Sequence, residues 1–137
     1  NVQNYEVIII RDKKRIHEIG RIESQQFWLC DAPVLFVVVR ETARLEDLYP
    51  VEGQLFAIQN VAAVIENIIM LAQAYGLGSC WVEAGDNDVL KQTLGVPPDR
   101  RIDAVIPVGY PLEAPEVTKS RMMTKVFFDR YGNRKRK

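Results

Sequence analysis

The sequence predicts an α+β domain, or a closely related α/β one, with about four core strands around a central helix. Three observations carry that reading. Short β-branched runs recur at separated places, one long stretch has helical spacing with apolar residues on nearly every side, and caps, glycines and prolines divide these pieces. The 137 residues suffice for a single domain with one substantial core, followed by a basic tail from about residue 116 to Lys137.

Taken in order, Glu6-Val7-Ile8-Ile9-Ile10 is a strand, because a continuous β-branched run suits a sheet position covered by other elements. Asp12 is placed to cap a charged amphipathic helix from Lys13 to about Ile22, whose Ile16, Ile19 and Ile22 share one face. A short helix is expected around Ser24 to Cys30. Val34 to Val39 shows no alternation and reads as a central strand, whereas Thr42 to Gly53 is polar, carries Pro50 and reads as a surface connection. The long helix runs from about Gln54 to Tyr75, and Gly76 stands where a left-handed residue ends it. Ser79 to Glu83 is a strand, Asp86 or Asn87 caps a short helix through Leu94, and Ile102 to Tyr110 is the last strand.

Composition narrows the function. Lys plus Arg and Asp plus Glu number 18 each, so the net charge is zero, which argues against nucleic-acid binding by the whole domain. Eight basic residues against Asp129 between Thr118 and Lys137 make the tail about +7 and leave the body about −7. Two cysteines without CxxC spacing and one histidine argue against a metal site, a disulfide framework or a Ser-His-Asp triad. No stretch joins eighteen uncharged apolar residues to interfacial flanks, and no signal-peptide pattern is present, so the expectation is a cytoplasmic protein away from membranes.

Individual residues favour structural roles. Gly76-Leu77-Gly78-Ser79 follows a helix and precedes a strand, the reverse of a phosphate loop. Cys80 in an apolar strand, and Cys30, read as buried inert thiols. His17 reads as solvent-facing. Glu66 and Asn67 fall within the apolar helix and read as a buried hydrogen-bonded pair ahead of a catalytic carboxylate. Glu83, at a strand end, is an acid/base candidate or a surface residue. A helix that needs cover on all sides implies a partner subunit.

Several separated segments resemble the FMN-dependent nitroreductase family. They are Ala62 to Ala72 followed by Gly76 to Val82, then Leu94-Gly95-Val96-Pro97, Ile106 to Pro111, the opening Asn1-Val2-Gln3-Asn4-Tyr5-Glu6, and Asp31-Ala32-Pro33-Val34. The resemblance implies a three-layer fold, a mixed and mainly antiparallel sheet flanked by helices, with the long helix at a homodimer interface. It implies FMN as cofactor, NAD(P)H as hydride donor, and a small acceptor such as a nitroaromatic or a quinone. The flavin carries the reaction, so no catalytic side chain is required. By the same resemblance, the backbone of Trp81, Val82, Glu83 and Ala84 faces flavin N5 and O4, Asn1 and Gln3 touch the flavin edge from the opposite subunit, Gln25 or Gln26 adds a further amide to the ring, and Lys119 and Arg121 grip the phosphate. The family's usual arginine-serine phosphate segment would precede Asn1 and is not in this sequence. A non-catalytic dimeric flavin module is the alternative, and a dehalogenase or flavin-fragmenting relative a third reading.

Overall fold

In the computed structural model, residues 2–23, 27–84, 88–113 and 125–134 are described. Strand β1 (Tyr5–Ile10) is followed by helix α1 (Lys13–Ile22), a 3-10 turn (Phe27–Asp31), strand β2 (Val34–Arg40), helices α2 (Ala43–Leu48) and α3 (Gly53–Ala74), strands β3 (Gly78–Ser79) and β4 (Val82–Glu83), helix α4 (Asp88–Leu94) and strand β5 (Arg101–Gly109). The strands form one sheet in the order β1-β2-β5-β3, with β4 on the same edge of β5 as β3. Among the described residues every pairing is antiparallel.

The β2 run without alternation is buried on both faces, as its composition requires. Leu35, Val37 and Val39 pack with Ile16 and Ile19 of α1, Leu29 of the 3-10 turn and Leu90 of α4. Val38 faces the opposite side, where it packs with Val61, Ile65 and Ala72 of α3 and Ala104, Ile106 and Val108 of β5. The layers are therefore α1 and α4, the sheet, and α3. Asp12 caps α1 by accepting the Arg15 N–H at 2.9 Å. Arg15 Nη1 also donates to the Thr93 carbonyl at 2.7 Å, which ties α1 to α4.

The expected surface connection from Thr42 to Gly53 instead holds α2, with Leu45 buried. Its cap lies one residue earlier than usual, since Glu41 Oε1 accepts the Arg44 N–H at 3.0 Å. Charge hides this helix in the sequence; its single buried leucine is too little for a periodic signal. α2 meets α3 at Gly53, where an added Cβ would stand 2.4 Å from Leu45 O and 2.6 Å from Glu46 N. Both obstacles are backbone and cannot rotate aside. Gly53→Ala gains helix propensity of about 1 kcal/mol, yet overpacking typically costs about 1–3 kcal/mol. The variant is expected to show a lower urea midpoint; an unchanged or higher midpoint would mean α2 can slide off.

The expected strand from Ser79 to Glu83 is two short pieces in one register. Ser79 lies opposite Val108 and Val82 opposite Val105, with no residue gained or lost between. The gap at Cys80 and Trp81 falls opposite Ile106 and Pro107, and a proline has no N–H to donate to a ladder. Cys80 is accordingly exposed, not buried, and Cys30 is half-buried. His17 is exposed, as expected. Gly76 has φ +71° at the end of α3, the left-handed conformation that its position demanded.

Glu66 and Asn67 are also exposed, which corrects the expectation of a buried pair. Only one stripe of α3 packs on the sheet; Ile58, Met70, Leu71 and Tyr75 remain exposed, Met70 at 61% and Tyr75 at 79%. By length and composition α3 is apolar enough to cross a membrane, with mean hydropathy 1.8, but Val61 and Ile65 pack on the sheet in this fold. Asp86, Asn87 and Ser24 to Gln26 lie outside the described residues.

Candidate functional site

Strand β4 positions the residues singled out by resemblance. Val82 and Ala84 point into the core shared with α1 and α4, and both are buried. The period of two then sends Trp81 and Glu83 to the α3 side. There, two adjoining cavities lie between α3 and the sheet. One of about 240 Å³ is lined by Ile58, Val61, Ala62, Ile65, Trp81, Glu83 and Asp103. The other, about 260 Å³, is lined by Arg40, Gln54, Ile58, Glu83, Arg101, Ile102 and Asp103. Glu83 and Asp103 border both.

The edge of β4 is equally relevant. Consecutive residues of an antiparallel strand direct their N–H groups to opposite sides. β4 pairs with β5 alone, so a main-chain N–H in the Val82–Glu83 pair is aimed away from the sheet. This is a donor fixed by the strand and independent of any side chain. The proline break just before it frees Trp81, which is 44% exposed, from the ladder.

Gln3 is exposed, and its Nε2 donates to Tyr5 Oη at 3.5 Å. The next residue is the anchor. Buried Asn4 donates to the carbonyls of Glu41 at 2.9 Å and Ala57 at 3.3 Å, and accepts from Asn60 Nδ2 at 3.0 Å. These bonds pin the first residues onto α3. Gln3 lines neither cavity beside β4 of its own chain, and the resemblance assigns it to the site of the opposite subunit. Asn1, Gln25, Lys119 and Arg121 lie outside the described residues.

The sequence reading missed the ion pair that floors the larger cavity. Arg40 Nε donates to Asp103 Oδ2 at 2.7 Å, and Arg40 Nη2 to Asp103 Oδ1 at 3.1 Å. The side chains are 5% and 23% exposed, and Arg40 Nη1 is buried with no partner among the described residues. A bulge makes this possible. Val38 lies opposite Ala104 but Val39 opposite Ile102, so Asp103 is an extra residue on β5. It shares the α3 side with Ala104, where a regular strand would send it to the other face. A lone arginine closing an apolar run, and a lone aspartate inside another, were the available signals.

This arrangement of helices on both faces of an antiparallel sheet recurs in solved structures. A protein of Bacteroides thetaiotaomicron, provisionally titled an NADH dehydrogenase/NAD(P)H nitroreductase, superimposes with a TM-score of 0.80 at 20% identity, covering 96% of this chain and 75% of that one. An FMN-dependent nitroreductase of Clostridium difficile gives a TM-score of 0.75 at 20% identity, covering 95% of this chain and 78% of that one. In sequence, residues 1–110 match the nitroreductase family, and the chain belongs to that family. A relative in Archaeoglobus fulgidus, provisionally named NADH dehydrogenase/NAD(P)H nitroreductase, is 25% identical over 115 residues, which are 81% of this chain and 63% of the relative. The chain thus spans less than two thirds of that relative's length.

Proposed function

We propose that this chain is an FMN-dependent oxidoreductase that moves a hydride from NAD(P)H to a small acceptor, such as a nitroaromatic or a quinone, as a cytoplasmic homodimer. The observation that carries the reading is the one-sided strand β4. The N5 and O4 atoms of a flavin accept hydrogen bonds in the plane of the ring. A main-chain N–H at a sheet edge suits them: it cannot rotate away and does not titrate. Bound FMN would supply the hydride chemistry itself.

The protein groups bind and orient. Val82 and Ala84, buried in the core, hold the strand so that its N–H groups stay fixed, while Trp81 and Glu83 shape the α3 side. Asn1, Gln3 and Gln25 offer amides to the ring, and Lys119 and Arg121 offer charge-assisted bonds to the phosphate. The uncovered apolar side of α3, with Ile58, Met70, Leu71 and Tyr75, supports a second subunit. An obligate interface of that kind buries more than ~2,000 Å² in total.

The test is anaerobic. FMN-loaded protein mixed with NADH or NADPH is expected to lose its flavin absorption, and a nitroaromatic or quinone to restore it. Bound flavin that neither nucleotide bleaches would make the chain a non-catalytic flavin module instead. Sedimentation equilibrium at micromolar concentration should give a dimer; a folded monomer near 15.7 kDa would remove the two-subunit part of the proposal.

A further inference from the structure

The smaller cavity beside β4 is apolar on one side and charged on the other. Ile58, Val61, Ala62 and Ile65 of α3 form the apolar wall, and Trp81, Glu83 and Asp103 face them from the sheet. The two carboxylates differ. Asp103 is engaged by Arg40, which donates to both of its oxygens, so that pair contributes little net charge. Glu83 is exposed and forms no ion pair or hydrogen bond with a described residue. Arg101 borders only the larger cavity and has a partner of its own. The smaller cavity therefore sets one uncompensated negative charge next to one indole ring, with no lysine or arginine among its described lining residues. Trp81 is 44% exposed, so part of that ring is open to a ligand.

A carboxylate beside an aromatic face is a receptor for a cation. The negative face of the ring and the carboxylate attract the same charge, and both attractions strengthen where walls exclude water. An anion in the same place would lose water against Glu83 without gaining a partner. The placement is structural: Glu83 lies on β4 and Trp81 directly precedes it, so the charge stands beside the main-chain donor of the functional reading. The cavity continues past Glu83 and Asp103 into the larger one, and together they fall in the range of small-molecule sites. We propose that this cavity selects aromatic acceptors that carry a positive charge, of the quaternary ammonium class, over neutral and anionic acceptors of the same shape. The proposal rests on the oxidoreductase reading and adds the charge class of its acceptor. It adds no redox step, because the positive group only binds and the reducible group is another part of the same molecule. Trp81 supplies the face, Glu83 the charge, and the aliphatic wall of α3 the other side of the slot.

The deciding measurement is calorimetric titration of the full chain, with FMN present and no nucleotide, by three probes of similar shape. They are para-nitrobenzyl-trimethylammonium, para-nitrobenzyl alcohol and para-nitrophenylacetate. The cation is expected to bind at least about fivefold more tightly than the alcohol, and the anion more weakly than either. In Glu83→Gln the preference for the cation over the alcohol should shrink to about twofold or less, and high salt should shrink it in the wild-type chain. Binding of the alcohol in the same variant shows that the cavity is intact. Trp81→Leu keeps an apolar wall without the ring and should also weaken the cation more than the alcohol. In turnover, Glu83→Gln should raise KM for the cation more than it changes kcat, the mark of a lost binding contact. A cation that binds no more tightly than the alcohol, or a preference that survives Glu83→Gln, would overturn the proposal. The titrations involve no turnover. If neither NADH nor NADPH bleaches the flavin, the oxidoreductase reading fails by itself, and the titrations still decide which charge the cavity selects.

Discussion

Asp103→Ala is expected to remove about 3–5 kcal/mol of stability, the usual cost of leaving one member of a buried ion pair without the other. The loss follows from what remains. Arg40 would keep its charge with its side chain 5% exposed, its Nη1 already lacking a partner, and no second described carboxylate in bonding range. Such a loss approaches the whole stability of a small domain, so the variant should be largely unfolded at 37 °C. Urea denaturation at fixed protein concentration is the measurement, because assembly also contributes to apparent stability. An Arg40→Met/Asp103→Leu variant, which removes both charges together, should recover most of the loss. If Asp103→Ala alone costs less than about 1 kcal/mol, solvent reaches the guanidinium and the pair is a surface feature.

The other large effect concerns activity. Ala84→Pro should abolish nucleotide-driven flavin reduction, while Glu83→Gln should retain most of it. Proline removes the Ala84 N–H and fixes its φ, and the loss of one preorganised backbone-type donor lowers kcat on the order of 10²–10³-fold. Glutamine at position 83 leaves every main-chain donor of β4 in place. Ala84 is buried, so the proline could also unsettle the core. Ala84→Gly, which keeps the N–H, controls for this: it should be active even if less stable. Stopped-flow bleaching rates for the three variants separate the accounts. Equal loss in Glu83→Gln and Ala84→Pro would transfer the role to the carboxylate.

Local signals made much of the fold legible. Asp12, the isoleucines of α1 and the left-handed glycine Gly76 act over a few residues, and each element they define stands where the sequence places it. The apolar β2 run likewise reports burial on both faces, because a strand has only two faces to fill. Errors arose where a decision depended on distant residues. Glu66 and Asn67 looked buried because α3 is apolar around its circumference, but this chain covers only one stripe of it. Cys80 looked buried because its neighbours in sequence are apolar, yet Pro107, in a strand 27 residues later, interrupts the ladder beside it. For the site, the segment Trp81 to Ala84 was accessible through family likeness. Nothing local in the chain joined Arg40 to Asp103, which are 63 residues apart.

The bulge at Asp103 also bears on how such a chain can change over generations. Without that residue, β5 would read Arg101, Ile102, Ala104, Val105 as a regular alternation, and every remaining side chain would stay on its present face opposite the same β2 partner. Asp103 is therefore an extra residue that the sheet's geometry does not need and that Arg40 does. Deleting Asp103 alone would leave β5 in register and Arg40 buried without its carboxylate, so the two positions are expected to tolerate change only together.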